Sequence, residues 1–420
     1  MSRRGFLVLI SLLIALFLFA ACNNDNENPS SGGNGKVTNG EEVVITIGNL
    51  TDQTGVAAEG MAPIQMALND IVGYYNDNNL IPGVRLKLIS YDDQYDPARD
   101  IPGYQKLKRD GADLIWTSCP PAIPVLKPRL DMDKFVMFSA TANMPLDELS
   151  GGYVFSLGIN AENEAYTLLK WIAENDKDFP TDRPAKIGAA AWNDGYNNML
   201  FEAAEAYVKA HPDKFEWDTS YLTEMKFNWT VEAEELKDCD YVFVPTPPHV
   251  FMREFRNAGG TAKFLGTEVP CAFLREIGDM GLWERIDGML FLKSSRWYNE
   301  TGEIIDISNQ LLGENHSVDE AARIRRQGTG YNATKQAYLM CDIIREAVEQ
   351  VGAENFDSDA LFDAATNWEF SLDGLPDFNN FSPTKRISQN YYAVYEARAS
   401  EESIFRLHDD WLPQVTSPEQ

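Results

Sequence analysis

Tyr91-Asp-Asp-Gln-Tyr-Asp-Pro97 gathers three carboxylates into one short segment, an arrangement with the chemistry to hold a cation. It lacks the further oxygen ligands and the turn glycine of a calcium loop. A plainer role fits these residues: a strand end leads into a helix with Pro97 in its first turn, where acidic side chains complement the helix dipole. Catalytic patterns are absent elsewhere in the sequence. The four histidines, His211, His249, His316 and His408, form no H-E-x-x-H or similar metal motif. There is no G-x-S-x-G elbow and no G-x-x-x-x-G-K-S/T phosphate loop. Gly328-Thr-Gly-Tyr-Asn-Ala333 fits the loose dinucleotide pattern, but it follows the polar, helical Ala321-Ala-Arg-Ile-Arg-Arg326 where a strand is required. It reads as a bend or a close-packing feature. No catalytic residue, metal site or cofactor is expected.

Cys22 has the clearest chemistry. Arg3 and Arg4 supply a positive flank, residues 6–19 are an almost unbroken apolar run, and Ala20 and Ala21 lead small residues into the cysteine, the plan of a secretory signal. A cysteine in this place resembles the bacterial lipobox, whose thiol is lipidated before cleavage and becomes the mature N-terminus. Phe19 stands where that pattern usually has Leu. The apolar run is shorter than the ~20 residues that span a bilayer, which weighs against a transmembrane anchor. Ser2-Arg-Arg-Gly-Phe-Leu7 also resembles a twin-arginine export signal, and the strongly apolar core keeps the general secretory route equally open. The protein is expected outside the cytoplasm, lipid-anchored to the cell membrane on its periplasmic or outer face. Residues 23–42, rich in Asn, Gly and Ser, cannot bury enough surface to offset their ordering entropy and read as a flexible tether.

Residues 43–413 suffice for two lobes of ordinary size, and 44% hydrophobic with 11% aromatic content marks a globular body. The formal charge is −28, becoming about −30 once Arg3 and Arg4 leave with the signal. Nucleic acid and anionic lipid surfaces need a basic patch, so this charge argues against both as partners. Cys119, Cys239, Cys271 and Cys341 show no C-x-x-C spacing that would support zinc, and a body of this size needs no disulfide framework.

The elements that must position any site follow from the pattern of apolar runs. Strands are expected at 43–48, 84–90, 113–117 and 135–138, separated by helices at 61–75, 97–109 and 122–132. The rhythm restarts with a helix at 161–174 capped by Asn160, then strands at 186–191, 241–244, 263–266 and 288–293, with helices at 195–209 and 249–257. Ser317-Val-Asp-Glu320 reads as a capping box opening a long helical region to about residue 351, and 391–395 as a late strand. This βαβ punctuation predicts an α/β fold with two doubly wound parallel-sheet lobes, and the late strand suits a chain that crosses between lobes more than once.

Leu50-Thr-Asp-Gln-Thr-Gly55 after the first strand, Tyr91-Asp-Asp with Asp96-Pro97 after the second, and Ser139-Ala-Thr-Ala-Asn143 after the fourth carry a family resemblance. Over residues 43–412 the chain resembles type I periplasmic solute-binding proteins, most of all the leucine/isoleucine/valine- and amide-binding branch of ABC importers. The resemblance implies two doubly wound lobes joined by a hinge of three crossovers near 157–160, 291–293 and 384–389. After a signal at 1–22 and the tether at 23–42, lobe 1 would comprise 43–157 and 294–385, and lobe 2 would comprise 158–293 and 386–413.

The same resemblance implies a ligand site. The loop Ser118-Cys-Pro-Pro-Ala122 corresponds to one that offers a serine hydroxyl and backbone amides, which singles out Ser118 and Ala122. Pro120 stands where amino-acid binders have Ser, and it brings neither hydroxyl nor N–H, so the usual grip on an α-carboxylate is weakened. Thr141, Ala142 and Asn143 match a ligand-contacting segment, with Asn143 replacing a threonine. Across the cleft, Trp192-Asn-Asp-Gly-Tyr196 matches a turn that presents an aromatic ring, here Tyr196, and Thr246 lies near a further contact. Phe264-Leu-Gly-Thr-Glu268 places Glu268 where amino-acid binders pair a glutamate with the ligand ammonium. Cys119 matches a family cysteine that can be bridged, but its partner position is Tyr95 here, so that bridge is expected to be absent.

The implied function is that of a monomeric, lipid-anchored substrate-binding protein. It would capture a small solute, an amino acid, amide or related organic acid, and deliver it to an ABC permease and its ATPase. A ligand-sensing subunit of a signalling system would use the same lobes. Neither is an enzyme.

Overall fold

A computed structural model of the protein describes residues 42–142 and 144–420. The export signal, Cys22, nearly all of the tether and Asn143 lie outside the described residues. The first half of the fold runs β1 (Val43–Thr51), α1 (Ala58–Asp77), β2 (Val84–Asp92), α2 (Asp100–Arg109), β3 (Leu114–Thr117), α3 (Ala122–Asp133), β4 (Met137–Ala142) and β5 (Val154–Asn160). These strands form a parallel sheet in the order β2-β1-β3-β4-β5. Alternate residues go to opposite faces, as a strand's period of two requires. Leu114, Trp116 and Phe138 pack with Leu68 and Ile71 of α1, whereas Ile115 and Met137 pack with Leu107 of α2 and Leu126 of α3. Burial on both faces explains why these strands read as continuous apolar runs.

The second sheet repeats the plan. It is built from α4 (Ala161–Asn175), β6 (Ala185–Trp192), α5 (Gly195–Ala210), β7 (Phe215–Thr223), α6 (Thr230–Glu235), β8 (Tyr241–Phe243), α7 (His249–Asn257), β9 (Lys263–Gly266), α8 (Leu274–Asp279) and β10 (Leu290–Lys293). Its parallel part runs β7-β6-β8-β9-β10, the same winding as the first sheet. The remaining elements are α9 (Glu303–Asn315), α10 (Val318–Gln327), α11 (Thr334–Val351), α12 (Ser358–Asn367), a hairpin of β11 (Glu369–Leu372) and β12 (Leu375–Asn380), then β13 (Tyr391–Arg398) and β14 (Ser403–Arg406). Strands β13 and β14 extend the second sheet antiparallel beyond β10, while α11 packs its Leu339, Met340 and Ile343 into the core beside α1.

Three passages therefore join the sheets. In the first, β5 runs straight into α4, and Asn160 caps that helix by accepting from the amides of Glu162 (3.0 Å) and Asn163 (3.2 Å). Gly158 is required here, because a Cβ would lie 1.6 Å from the carbonyl oxygen of Ala140. The second follows Lys293 into α9, and the third leads through Gln389 into β13. The first and third are tied together: the amide of Ser156 donates to the carbonyl of Arg386 (2.8 Å), and that of Ser388 donates to the carbonyl of Ser156 (2.9 Å).

One expectation is modified. Ser317 does cap α10, accepting from the Glu320 amide at 3.3 Å, but the helical region is broken rather than continuous to Val351. Gly328 interrupts it at φ 121°, followed by a 3₁₀ turn at Thr329–Ala333.

Candidate functional site

The carboxyl ends of the parallel strands carry Thr51, Asp92, Thr117 and Ala142 in the first sheet, and Trp192, Thr223, Phe243, Gly266 and Lys293 in the second. Open α/β sheets bind ligands at such edges, and Ser118, Ala122, Thr141, Ala142, Tyr196, Thr246 and Glu268 fall at or just beyond one, while Asn143 lies outside the described residues.

On the first sheet, Ser118 is buried after β3, with its hydroxyl 3.4 Å from Oγ1 of Thr51 and 3.3 Å from Sδ of Met61. The two prolines then force a tight entry into α3. The amide of Ala122 donates to the carbonyl of Cys119 (3.1 Å) and that of Ile123 to the carbonyl of Pro120 (3.3 Å), so the turn itself consumes donors at this helix start. Cys119 is buried and unbridged. Thr141 precedes Ala142 at the end of β4, and its Oγ1 is buried without a hydrogen-bond partner among the described residues.

The acidic segment ends β2 and leads into a helical turn that starts at Pro97, where Asp96 accepts from the Ala98 amide at 3.0 Å. Oxygens of Asp52, Asp92 and Asp93 approach within 4.8 Å of one another. They are engaged by the loops: Asp52 accepts from the amides of Gly55 and Ala57, Asp92 from those of Gln53 and Gln94 and from the Thr54 hydroxyl, and Asp93 from the Tyr95 amide. Burial pushes the Tyr95 phenol up, helped by the nearby Cys119 and Asp194.

On the second sheet, Asp194 caps α5 by accepting from the Asn197 amide at 2.8 Å, which fixes Tyr196 in the first helical turn. Tyr196 is buried, and its hydroxyl donates to Oε2 of Glu164 (2.7 Å) and lies 2.7 Å from Oγ1 of Thr267. Thr246 follows β8 between prolines, and its Oγ1 is also buried without a partner among the described residues. Trp192 donates from Nε1 to the carbonyl of Lys226 (2.9 Å) and packs edge-on against Phe227.

Glu268 is more elaborately held than a ligand-facing carboxylate. Its Oε1 accepts from Lys293 Nζ, Ser295 Oγ and Thr329 Oγ1, each at 3.1 Å. Its Oε2 accepts from the Ser294 hydroxyl (2.6 Å) and amide (3.3 Å). Burial pushes this carboxyl up, but the Lys293 ammonium and the Ser294 donors pull it further down, to about 2. The ammonium that the resemblance assigns to a ligand is thus matched here by the chain's own Lys293.

Sequence reasoning missed Lys293, Ser294 and Ser295 in this cluster, and three further members with them. Glu164 is fully buried, and burial, reinforced by Glu268, pushes its carboxyl up to about 8. Thr329 reaches in from the turn that packs against α1. Lys335 of α11 donates to the carbonyl of Ser294 and to Oε1 of Gln389, both at 2.8 Å, linking the second passage to the third, and burial pushes it down to about 7. A lysine closing the apolar run Leu290-Phe-Leu-Lys293 was the available signal.

Two sheets of identical winding, three passages and facing carboxyl edges define a class of two-lobed binding protein. The chain belongs to the periplasmic binding protein family, whose profile matches residues 44–401. Solved structures share the fold. A branched-chain amino acid ABC transporter protein from Thermus thermophilus with bound valine is 16% identical at a TM-score of 0.74, covering 90% of this chain and 97% of its own. A fatty acid ABC transporter substrate-binding protein from Thermomonospora curvata is 15% identical at 0.70, covering 89% and 95%. A solute-binding protein from Rhodopseudomonas palustris HaA2 in complex with p-hydroxybenzoic acid is 14% identical at 0.70, covering 89% and 97%. No curated protein matches the chain. Among the described residues, no helix is long and apolar enough to cross a membrane.

Proposed function

We propose that the protein is the lipid-anchored, monomeric substrate-binding component of an ABC importer. It captures a small solute between its lobes and hands it to the permease and its ATPase. Ligand contacts made only in the closed form would shift the hinge equilibrium toward the state that the permease recognises. One observation carries this reading: Thr141 and Thr246, at the carboxyl edges of opposite sheets, each bury a hydroxyl with no partner among the described residues. Such atoms are costly to leave unmade, at about 1–3 kcal/mol each, and a polar solute in the cleft would satisfy both. Ser118, Ala122, Ala142, Asn143 and Tyr196 complete the proposed contact set. Pro120 and Pro121 withhold N–H donors from an α-carboxylate and so favour an aromatic or amide solute over an aliphatic amino acid, whereas Trp116 belongs to the core against α1.

A thermal-shift screen of valine, p-hydroxybenzoate, benzoate, fatty acids, simple amides and urea tests this, since a ligand stabilises the state it binds by mass action. At least one solute should raise Tm without turnover. Thr141→Val and Thr246→Val should each weaken that solute by about tenfold, or 1.4 kcal/mol. Unchanged affinity in both variants would remove the carrying observation.

A further inference from the structure

Lys293 ends β10 at the same edge as Glu268, and its side chain is fully buried. An ammonium has three donors. Nζ lies 3.1 Å from Oε1 of Glu268 and 2.7 Å from Oγ1 of Thr329, and it stands 5.1 Å from the centroid of the Trp297 ring, a favourable face for a cation. Its capacity is met by the protein itself.

Glu268 is equally saturated. A carboxylate offers about four lone-pair sites, and this one accepts five donors drawn from Lys293, Ser294, Ser295 and Thr329. The neighbouring acid, Glu164, is engaged by the Tyr196 hydroxyl and by the Glu268 amide (3.3 Å). A cationic solute entering at the end of β9 would have to displace a buried lysine to find a carboxylate.

We propose that Lys293 is a specificity-determining residue whose ammonium occupies Glu268 and so excludes amine-bearing solutes, leaving the cleft to neutral or anionic polar ones. This rests on the reading of the inter-lobe cleft as a solute site. Thr329 and Ser295 act as positioning residues that hold the pair in register.

The test compares valine with 3-methylbutanoate, the same solute without its amine, by calorimetry. Wild type should show no preference for valine. Lys293→Met keeps chain length while removing the charge, and it should gain valine affinity by at least tenfold, with 3-methylbutanoate unchanged. Glu268→Gln combined with Lys293→Met should lose that gain. A folded Lys293→Met protein with no gain for valine overturns the proposal. So does a wild type that prefers valine over 3-methylbutanoate by tenfold or more, a comparison that decides the matter even where the variant does not fold. Failure of every solute to stabilise wild type would count against the cleft reading, whereas the inference is read from the difference between wild type and variant.

Discussion

The phenol of Tyr196 donates to Oε2 of Glu164 across 2.7 Å, tying the first turn of α5 to that of α4 at the carboxyl edge of the second sheet. The same hydroxyl meets Oγ1 of Thr267, the residue before Glu268. Tyr196→Phe keeps the ring but removes both bonds and leaves a buried acid with one partner fewer. The expected cost is about 1–3 kcal/mol, the penalty for an unsatisfied buried group. Urea denaturation measures it, and a variant as stable as wild type would show that the hydroxyl contributes nothing.

Glu164 gives that link a pH dependence. Burial raises its carboxyl from the ordinary 4.5 to about 8, so between those values the folded protein holds a proton that the unfolded chain has released. A raised folded-state pKa means that the contribution is fully present below pH 4.5 and is lost as pH rises through 8. Glu164→Gln, a neutral mimic of the protonated acid, should remove this term. Measured by denaturation at several pH values, wild type should lose stability relative to the variant across that window. Parallel curves would mean that Glu164 does not titrate there.

The helix cap at Asn160 and the βαβ order were legible because they depend on local spacing and on strands buried on both faces. The close-packing reading of Gly328 was legible for the same reason, since a helix precedes it where a phosphate loop needs a strand. Strand β7, Phe215–Thr223, was not legible: it pairs only with β6, and its Glu216, Asp218, Thr219 and Ser220 give no apolar period. Nor was the state of Glu268. A strand-end carboxylate looks the same in sequence whether it faces a solute or a lysine 25 positions away, and only the convergence of β9, β10 and the turn at Thr329 decides it.

The proposed lipid anchor predicts a sharp effect at Cys22. A single acyl chain binds membranes only marginally, so stable anchoring needs two lipid chains, which the lipobox cysteine would carry. Cys22→Ser should give a soluble or unprocessed protein in cell fractionation. Recovery of mature, detergent-requiring protein from the variant would rule out this anchor.

Gly328 combines two constraints at the boundary between α10 and the turn that carries Thr329. Its φ of 121° lies where a side chain is rarely tolerated, and a Cβ would stand 1.9 Å from the carbonyl oxygen of Cys271 and 3.1 Å from Cα of Ala272. Neither obstacle is a flexible side chain that can swing away. Cys271 sits just beyond Glu268, so relief of the clash requires the turn at Thr329 to draw back from the Glu268–Lys293 pair. Gly328→Ala should therefore cost about 2–4 kcal/mol, taking roughly 1 kcal/mol from the backbone and 1–3 from overpacking. Gly313 in α9 supplies the control: it has nothing within 4 Å of a built Cβ and ordinary helical φ, so Gly313→Ala should be neutral or stabilising by up to ~1 kcal/mol. Chemical denaturation of both variants checks the contrast, and equal stabilities would mean that α10 and the Cys271 turn are not in the close contact described.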